Sequence, residues 1–115
     1  MNDSKFEPRQ GDIIKIDSEY FGLVINHPYL SKTSPLIWVV PISEIEYDYP
    51  SHIKLKNNDI NGTIYIEQIH SIDYENRQIE LFSSISNDIL ITVLETAKEL
   101  LIRNIDEEKQ NKKAA

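Results

Sequence analysis

The chain has 115 residues, of which 40% are hydrophobic and 27% are charged, so its length predicts one domain with a single core. It contains no cysteine, which excludes a disulfide framework, a thiolate zinc site and a cysteine nucleophile. Its 12 basic and 19 acidic residues leave a formal net charge of −7, which is the wrong sign for a general attraction to nucleic acid phosphates.

Both ends of the chain are polar, and their charges cancel. Residues 1–9 show no hydrophobic period, and residues 106–115 carry no apolar stripe. The sequence therefore predicts a flexible lead-in over residues 1–9, a single domain over 10–105 and a disordered charged tail over 106–115. Because no apolar run approaches the roughly 20 residues of a membrane span and no signal peptide pattern opens the chain, we expect a cytoplasmic protein with no membrane contact.

The first half of the domain predicts three strands. Residues 12–17 and the apolar run 22–25 are separated by residues 18–21, which predicts an antiparallel hairpin with an ordered, tight connection. Residues 27–35 predict a loop or one helical turn. The run 36–42 is continuously apolar and predicts a strand buried on both faces, with a bulge or a sheet edge near Pro41.

The second half predicts more strands and then one helix. The signal DING at 59–62 predicts a turn between a short strand at 52–55 and a long strand over 63–72, and a turn at 74–77 leads into a strand at 78–82. From Ser86 the period changes to that of an amphipathic helix, with Ser86 as N-cap and Asp88 in the first turn. Its apolar stripe is Leu90, Val93, Leu94, Ala97, Leu101 and Ile105.

With no helices between the strands, this order predicts a mainly β, α+β fold. We expect a strongly bent antiparallel sheet of five or six short strands that is closed by the C-terminal amphipathic helix.

Four strings in this order resemble the MazF/PemK family of toxin endoribonucleases. They are QGDIIKID at 10–17, WVVPIS at 38–43, YPSHIKL at 49–55 and IYIEQIHSID at 64–73, and the resemblance extends over about residues 9–104. It implies a small MazF/CcdB-like antiparallel barrel of five to seven short strands closed by one amphipathic helix. It also implies a homodimer, and cleavage of single-stranded RNA without metal or another cofactor. It also implies a small antitoxin as protein partner.

Two positions depart from the pattern of that family. Phe21 and Gly22 stand where the resemblance would put an Arg-Pro pair, so the family's catalytic arginine has no match here. Ser43 stands at a catalytic threonine position and keeps the hydroxyl group. Three acids, Glu44, Glu46 and Asp48, follow Ser43 closely and would oppose a phosphate there.

Cleavage of RNA without metal needs a base, an acid and a cation or donors for the phosphorane charge. The candidate catalytic residues are Ser43, with Arg9 or His27 as a relocated cation. The candidate groove or dimer surface comprises Tyr20, Phe21, His52, Lys54, Gln68 and His70. We interpret Arg77 and Arg103 as solvated charges and His52 as a half-exposed strand residue, and no pair of histidines has the spacing of a metal site.

Three functions stay open from the sequence. The first is an active toxin endoribonuclease, and the second is a catalytically degenerate dimer that binds or inhibits a protein. The third and weakest is a CcdB-like topoisomerase poison. Because a missing phosphorane stabiliser costs about 3–4 kcal/mol, we expect weak or absent cleavage unless another cation replaces the arginine, and the charge of −7 disfavours RNA binding.

Overall fold

The computed structural model describes residues 7–45, 49–56 and 59–102. Within these ranges lie the strands β1 (Asp12–Ile16), β2 (Tyr20–Val24), β3 (Leu36–Ser43), β4 (His52–Lys56), β5 (Asn61–Tyr65), β6 (His70–Asp73) and β7 (Ile79–Ser84), the helices α1 (Pro28–Thr33) and α2 (Asn87–Leu101), and a 3₁₀ turn at Ile66–Gln68. Several predictions fall outside the described residues: those on residues 1–6, Glu46, Asp48, Arg103, Ile105 and the tail 106–115. In the described ranges, no helix combines the length and the apolar character needed to cross a membrane.

The strands form one antiparallel sheet, and this confirms the mainly β class with a C-terminal helix. Its order is β4-β5-β3-β2-β1-β7, while β6 pairs with β3. The sheet is not closed, since the path ends at β4 on one side and at β7 on the other. Its seven strands and the C-terminal helix agree with the predicted five to seven short strands and one helix. Helix α2 contributes Val93 and Ala97 to the core, and such side-chain packing does not require the two strand edges to meet.

Two apolar clusters occupy the two faces of the central strands. The cluster that includes α2 is built from Ile13, Leu23, Ile25, Val40, Ile42, Leu55, Ile64, Ile66, Val93 and Ala97. The second cluster is built from Ile14, Ile16, Val24, Ile37, Val39 and Ile72, with Tyr20, Tyr74 and Ile79 packed against it. Successive side chains of a strand point to opposite faces, which is why β1 buries both Ile13 and Ile14.

The predicted β1–β2 hairpin is confirmed, with a tighter turn than the sequence indicates. Ile16 pairs with Tyr20, and the Glu19 N–H donates to the Ile16 carbonyl at 3.0 Å. Asp17 and Ser18 have φ angles of 53° and 57°, the left-handed region that the mirror-image hairpin turns require. This turn sets one end of the sheet.

The long strand predicted over 63–72 is wrong, because a 3₁₀ turn divides it into β5 and β6. Ile64 pairs with Ile42 of β3, and His70 pairs with Val39 of β3. Residues 65–69 therefore oppose only Val40 and Pro41, and the 3₁₀ turn takes up the surplus length as a bulge does. Strand β3 itself pairs without interruption through Pro41 and Gly22, so the irregularity lies in the segment that faces Pro41 and not in β3.

The β4–β5 hairpin is confirmed, but only the first two residues of DING, Asp59 and Ile60, lie between its strands. Asn61 pairs with Lys56 and Gly62 with Leu55, so both belong to β5 and the chain reverses before them. A Cβ on Gly62 would lie 3.0 Å from the Ile42 side chain and 3.0 Å from the Ser43 carbonyl oxygen. Because glycine has no side chain, Gly62 allows β5 to approach β3 closely at this position.

The remaining elements agree with the sequence except in burial. Helix α1 confirms the helical turn, and the Ser86 hydroxyl accepts from the Ile89 N–H at 3.3 Å as the predicted N-cap. Strand β3 is not buried on both faces throughout, because Trp38 is 44% exposed. The apolar stripe of α2 is covered at Val93 and Ala97, whereas Leu101 is 70% exposed.

Candidate active site at the Ser43 end of the sheet

Ser43 is the last residue of β3, and the strand register defines its neighbours. It pairs with Thr63 of β5, which pairs in turn with Lys54 of β4. On the other side, Phe21 pairs with Ile42, so Tyr20 lies across from Ser43 one step further along the ladder. Paired residues of an antiparallel sheet share a face, which puts Ser43 between Tyr20 and Thr63.

The segment after Ser43 is held against this face. The Ser43 hydroxyl accepts from the Ile45 N–H at 3.2 Å, and the Tyr65 hydroxyl donates to the Ile45 carbonyl. Glu44, between them, is exposed. The hydroxyl group that the sequence singles out is therefore fixed by its own loop, with a carboxylate beside it.

Thr63 is a buried polar neighbour of Ser43. It is 2% exposed, and its hydroxyl oxygen has no hydrogen-bond partner within the described part of the chain. A buried polar group without a partner costs about 1–3 kcal/mol. The row Ser43, Thr63 and Lys54 is thus polar at a place where the adjacent row, Ile42 and Ile64, is apolar core.

His52 belongs to the same face, two residues from Lys54, and it is more enclosed than the sequence predicts. Its side chain is 4% exposed, and its Nε2 lies 2.8 Å from Glu67 Oε2. The ring stacks on Tyr65 with 4.3 Å between centroids and meets the edge of Tyr49. As a whole residue His52 is half-buried, while its ring is enclosed because the β4–β5 register brings it directly against Tyr65.

Glu67 is the carboxylate partner of His52. Ser51 donates to its second oxygen at 2.7 Å. Partial desolvation raises the pKa of Glu67, but the hydrogen bonds from His52 and Ser51 outweigh it and leave the pKa below its ordinary value. The carboxylate is therefore held ionised beside the ring.

Arg77 supplies a cation at the same end of the sheet. Its Nε donates to Asp17 Oδ2 at 2.7 Å, and its Nη2 donates to the Tyr20 hydroxyl at 3.0 Å. The hydrogen bond from Arg77 holds the pKa of Asp17 below its usual range. Arg77 is exposed, as the sequence predicts, but it is also paired, because the turn before β7 lies beside the β1–β2 turn.

Arg9 and His27 lie at the opposite end of the sheet. The Arg9 carbonyl accepts from Asp12 at the start of β1, and Ile25, just before His27, donates its N–H to the Trp38 carbonyl. His27 Nδ1 accepts from the Tyr29 N–H as the N-cap of α1. About 16 Å of strand separates Trp38 from Ser43, so the structure does not bring these two cations to Ser43.

The other candidate surface residues are divided among three places. Phe21 lies on the face opposite Tyr20, packs against Phe82 at 4.6 Å between centroids, and has the Lys15 ammonium 5.9 Å from its ring. Gln68 and His70 are exposed at the 3₁₀ turn, where His70 Nδ1 lies 3.2 Å from the Gln68 carbonyl. Lys54 is exposed on β4, in the row of Ser43.

Sequence reasoning missed the Arg77 and Glu67 contacts. Arg77 is 60 positions from Asp17, and only the pairing of β7 with β1 brings them together. The Glu67 contact with His52 could have been found from the hairpin register, had the turn been positioned before Asn61.

This end of the molecule carries a hydroxyl group, two cations and a carboxylate. Ser43 offers the hydroxyl, Arg77 and Lys54 offer positive charge, and Glu67 offers an ionised carboxylate. Across the described residues, no group of three or more histidine and acidic side chains is arranged to hold a metal ion.

Known proteins resemble this chain in fold but not closely in sequence. No family model matches the chain, and no curated protein matches it. A chain of the MazE–MazF complex from Deinococcus radiodurans superposes with a TM-score of 0.78 at 19% identity, covering 84% of this chain and 98% of that one. MazF from the same organism gives 0.76 at 18% identity over 84% and 98% of the two chains.

A third solved structure extends this likeness. It is an endoribonuclease in complex with its cognate antitoxin from a mycobacterial species, with a TM-score of 0.68 at 14% identity over 84% of this chain and 99% of that one. These superpositions confirm, at the level of the fold, the resemblance that the four sequence strings indicate. The chain has the MazF fold.

Proposed function

We propose that this protein is a MazF-like toxin that cleaves single-stranded RNA and is neutralised by a small antitoxin. The observation that carries the proposal is the likeness of fold over 84% of the chain to MazF chains, including one from a MazE–MazF complex. A fold alone hosts many functions, so the residues around Ser43 have to supply the chemistry.

The reaction that fits this site needs no metal. The 2′-oxygen attacks the adjacent phosphorus, its proton passes to a base, and the 5′-oxygen leaves with a proton from an acid. Ser43 would hydrogen-bond a phosphate oxygen, and a nearby cation would stabilise the charge that grows on the phosphorane. Arg77 is a cation that the sequence-based expectation of weak cleavage did not count, and with it we expect measurable cleavage.

The finer parts of the proposal concern assembly and location. We propose that the protein acts as a homodimer in the cytoplasm, as the family resemblance implies. The antitoxin partnership is supported by two of the structural neighbours, which were solved as complexes of that kind. The net charge of −7 makes binding of RNA depend on the local cations near Ser43.

A cleavage assay tests the proposal. A mixed-sequence RNA is incubated with the natural chain in the presence of a metal chelator, alongside Ser43→Ala and Arg9→Ala. We expect site-selective cutting by the natural chain, a loss of about 10²–10³-fold in Ser43→Ala, and little change in Arg9→Ala at the far end of the sheet.

A second candidate function is a degenerate module that binds a protein. The observation that favours it is Glu44, an exposed acid directly after Ser43, which repels a phosphate. Absence of cutting by the natural chain, at micromolar enzyme and low salt, would support this candidate and contradict the nuclease.

A further inference from the structure

The β1–β2 turn carries a set of contacts that hairpin formation does not require. Asp17 accepts from Arg77 Nε at 2.7 Å and from the Gln78 N–H at 3.2 Å. The Asp17 N–H donates to the Gln78 carbonyl at 2.7 Å. The turn before β7 is thereby joined to the β1–β2 turn through one aspartate.

The backbone of the same turn is strained. Asp17 and Ser18 both have positive φ, and the left-handed conformation is unfavourable for a residue with a side chain. Two such residues in succession persist only where the surroundings hold them. The Asp17 carboxylate and backbone supply that hold, and they fix the direction of the Arg77 guanidinium at the same time.

The guanidinium contacts a residue at the Ser43 end of the sheet. Arg77 Nη2 donates to the Tyr20 hydroxyl, and Tyr20 and Ser43 each lie one residue beyond Phe21 and Ile42, the last pair of the β2–β3 ladder. To the described residues Arg77 makes hydrogen bonds through Nε and Nη2 only. The two N–H groups on Nη1 remain as a pair of donors at an exposed surface.

We propose that Arg77 is the group that binds an RNA phosphodiester beside Ser43, and that Asp17 is its positioning residue. The inference rests on the proposed function above and adds a residue to it. An arginine fork binds phosphate oxygens through more than one N–H and stays charged. Here that fork comes from the turn before β7, on the far side of β1 from β2, and it reaches Tyr20, next to the position where the sequence lacks an arginine.

The test compares two arginines at opposite ends of the sheet. Arg77→Gln and Arg9→Gln each make the net charge more negative by one unit, so any general electrostatic effect is the same in both. We expect Arg77→Gln to lower kcat by about 10²–10³-fold. We also expect it to reduce the slope of log affinity against log salt by about 0.7, the value for one phosphate contact on a single strand, with neither change in Arg9→Gln.

Asp17→Asn separates positioning from simple structural support. It makes the protein less negative, which by itself would strengthen RNA binding, yet it releases the Arg77 guanidinium. We expect at least a tenfold fall in kcat with the salt slope retained. A lower melting temperature with unchanged kcat would show that the Asp17 contact is only structural and would overturn the positioning role.

Arg77→Lys serves where Arg77→Gln fails to fold. It keeps the charge but not the planar fork, so we expect the salt slope to be kept and kcat to fall more than tenfold. If the natural chain neither binds nor cuts RNA, the proposed function fails. If the natural chain cuts RNA and Arg77→Gln or Arg77→Lys cuts it equally fast, the function stands and the inference about Arg77 is wrong.

Discussion

At the scale of single residues, His52 shows how the sheet encloses a hydrogen-bonded pair at its edge. Its ring lies between Tyr65 and Tyr49, and its Nε2 meets Glu67, which also accepts from Ser51. The histidine is nearly buried while the carboxylate is 36% exposed. The pair therefore joins β4 to the 3₁₀ turn in a setting that solvent screens only in part.

The first prediction concerns the pH dependence of this pair. The pKa of Glu67 is lower in the folded chain than its ordinary value, so the unfolded state binds more protons there and stability rises with pH. The contribution is complete above the ordinary pKa of glutamate, about 4.3, and is lost as the pH falls below it. Because the carboxylate is more than a third exposed, we expect no more than about 1 kcal/mol.

Urea unfolding of Glu67→Gln and of the natural chain between pH 3 and 6 measures the contribution of the Glu67 contact to the free energy of unfolding. We expect the natural chain to be the more stable at pH 6 and the difference to vanish near pH 3. Glu95→Gln, an exposed acid on α2, is the matched control and should change little. A difference that is constant with pH would contradict the ionised Glu67 contact.

At the scale of elements, the β1–β2 hairpin depends on a turn that glycine would normally occupy. Ser18 is exposed with a φ of 57°, and glycine adopts that conformation without the cost that a Cβ brings. We expect Ser18→Gly to stabilise the chain by about 0.5–1 kcal/mol, and Ser18→Val to destabilise it. Thermal unfolding of both variants shows whether each substitution raises or lowers stability. Glu19→Gly is the control, and we expect it to destabilise the chain because Glu19 does not have a positive φ. Equal effects of glycine at positions 18 and 19 would contradict the turn geometry.

The structure of the same hairpin also predicts how fast its backbone amides exchange with solvent. The Glu19 N–H is bonded to Ile16, and β2 starts at Tyr20, so the connection is ordered. We expect the Glu19 amide and the ladder amides of Tyr20 to Gly22 to exchange at rates close to those of the flanking strands. Free exchange of these amides while β1 and β2 stay protected would contradict an ordered connection.

Other elements show where sequence patterns suffice and where they fail. Apolar runs and the change to a helical period locate β1, β2, β3 and α2, because local composition and Ser86 capping decide them. The 3₁₀ turn at Ile66 was missed, since Ile64, Ile66 and Gln68 also fit a two-residue alternation. The division there is imposed by β3, which lacks a donor at Pro41 and offers too few partner residues.

The candidate site divides in the same way. Ser43 could be predicted from the string WVVPIS, because its position depends on one strand end. Arg77 could not, because its proximity to Tyr20 depends on β7 pairing with β1 across 57 positions of chain. In the sequence, Arg9 and His27 looked equally suitable as the cation near Ser43. Only the strand register shows that they lie at the opposite end of the sheet.

At the scale of the whole molecule, one apolar surface is left uncovered beside α2. Trp38 is 44% exposed, Leu101 70% and Ile102 60%. Together with Ile69 and Leu94 they line a groove of about 250 Å³. Contiguous apolar surface of this kind marks protein interfaces. The apolar side chains of Ile64, Ile66 and Ile72 are buried within the chain and do not add to this surface.

The last prediction is that two copies associate through this groove. A two-fold interface brings the same patch of each copy together, so Leu101→Glu would introduce a buried charge in both copies and repel them. Sedimentation at micromolar concentration should show a dimer for the natural chain and a monomer for Leu101→Glu. Leu81→Glu, at an exposed position on the edge strand β7, should stay dimeric. A natural chain that sediments as a 13.4 kDa monomer would contradict the dimer, and a dimer that survives Leu101→Glu would put its interface elsewhere on the surface.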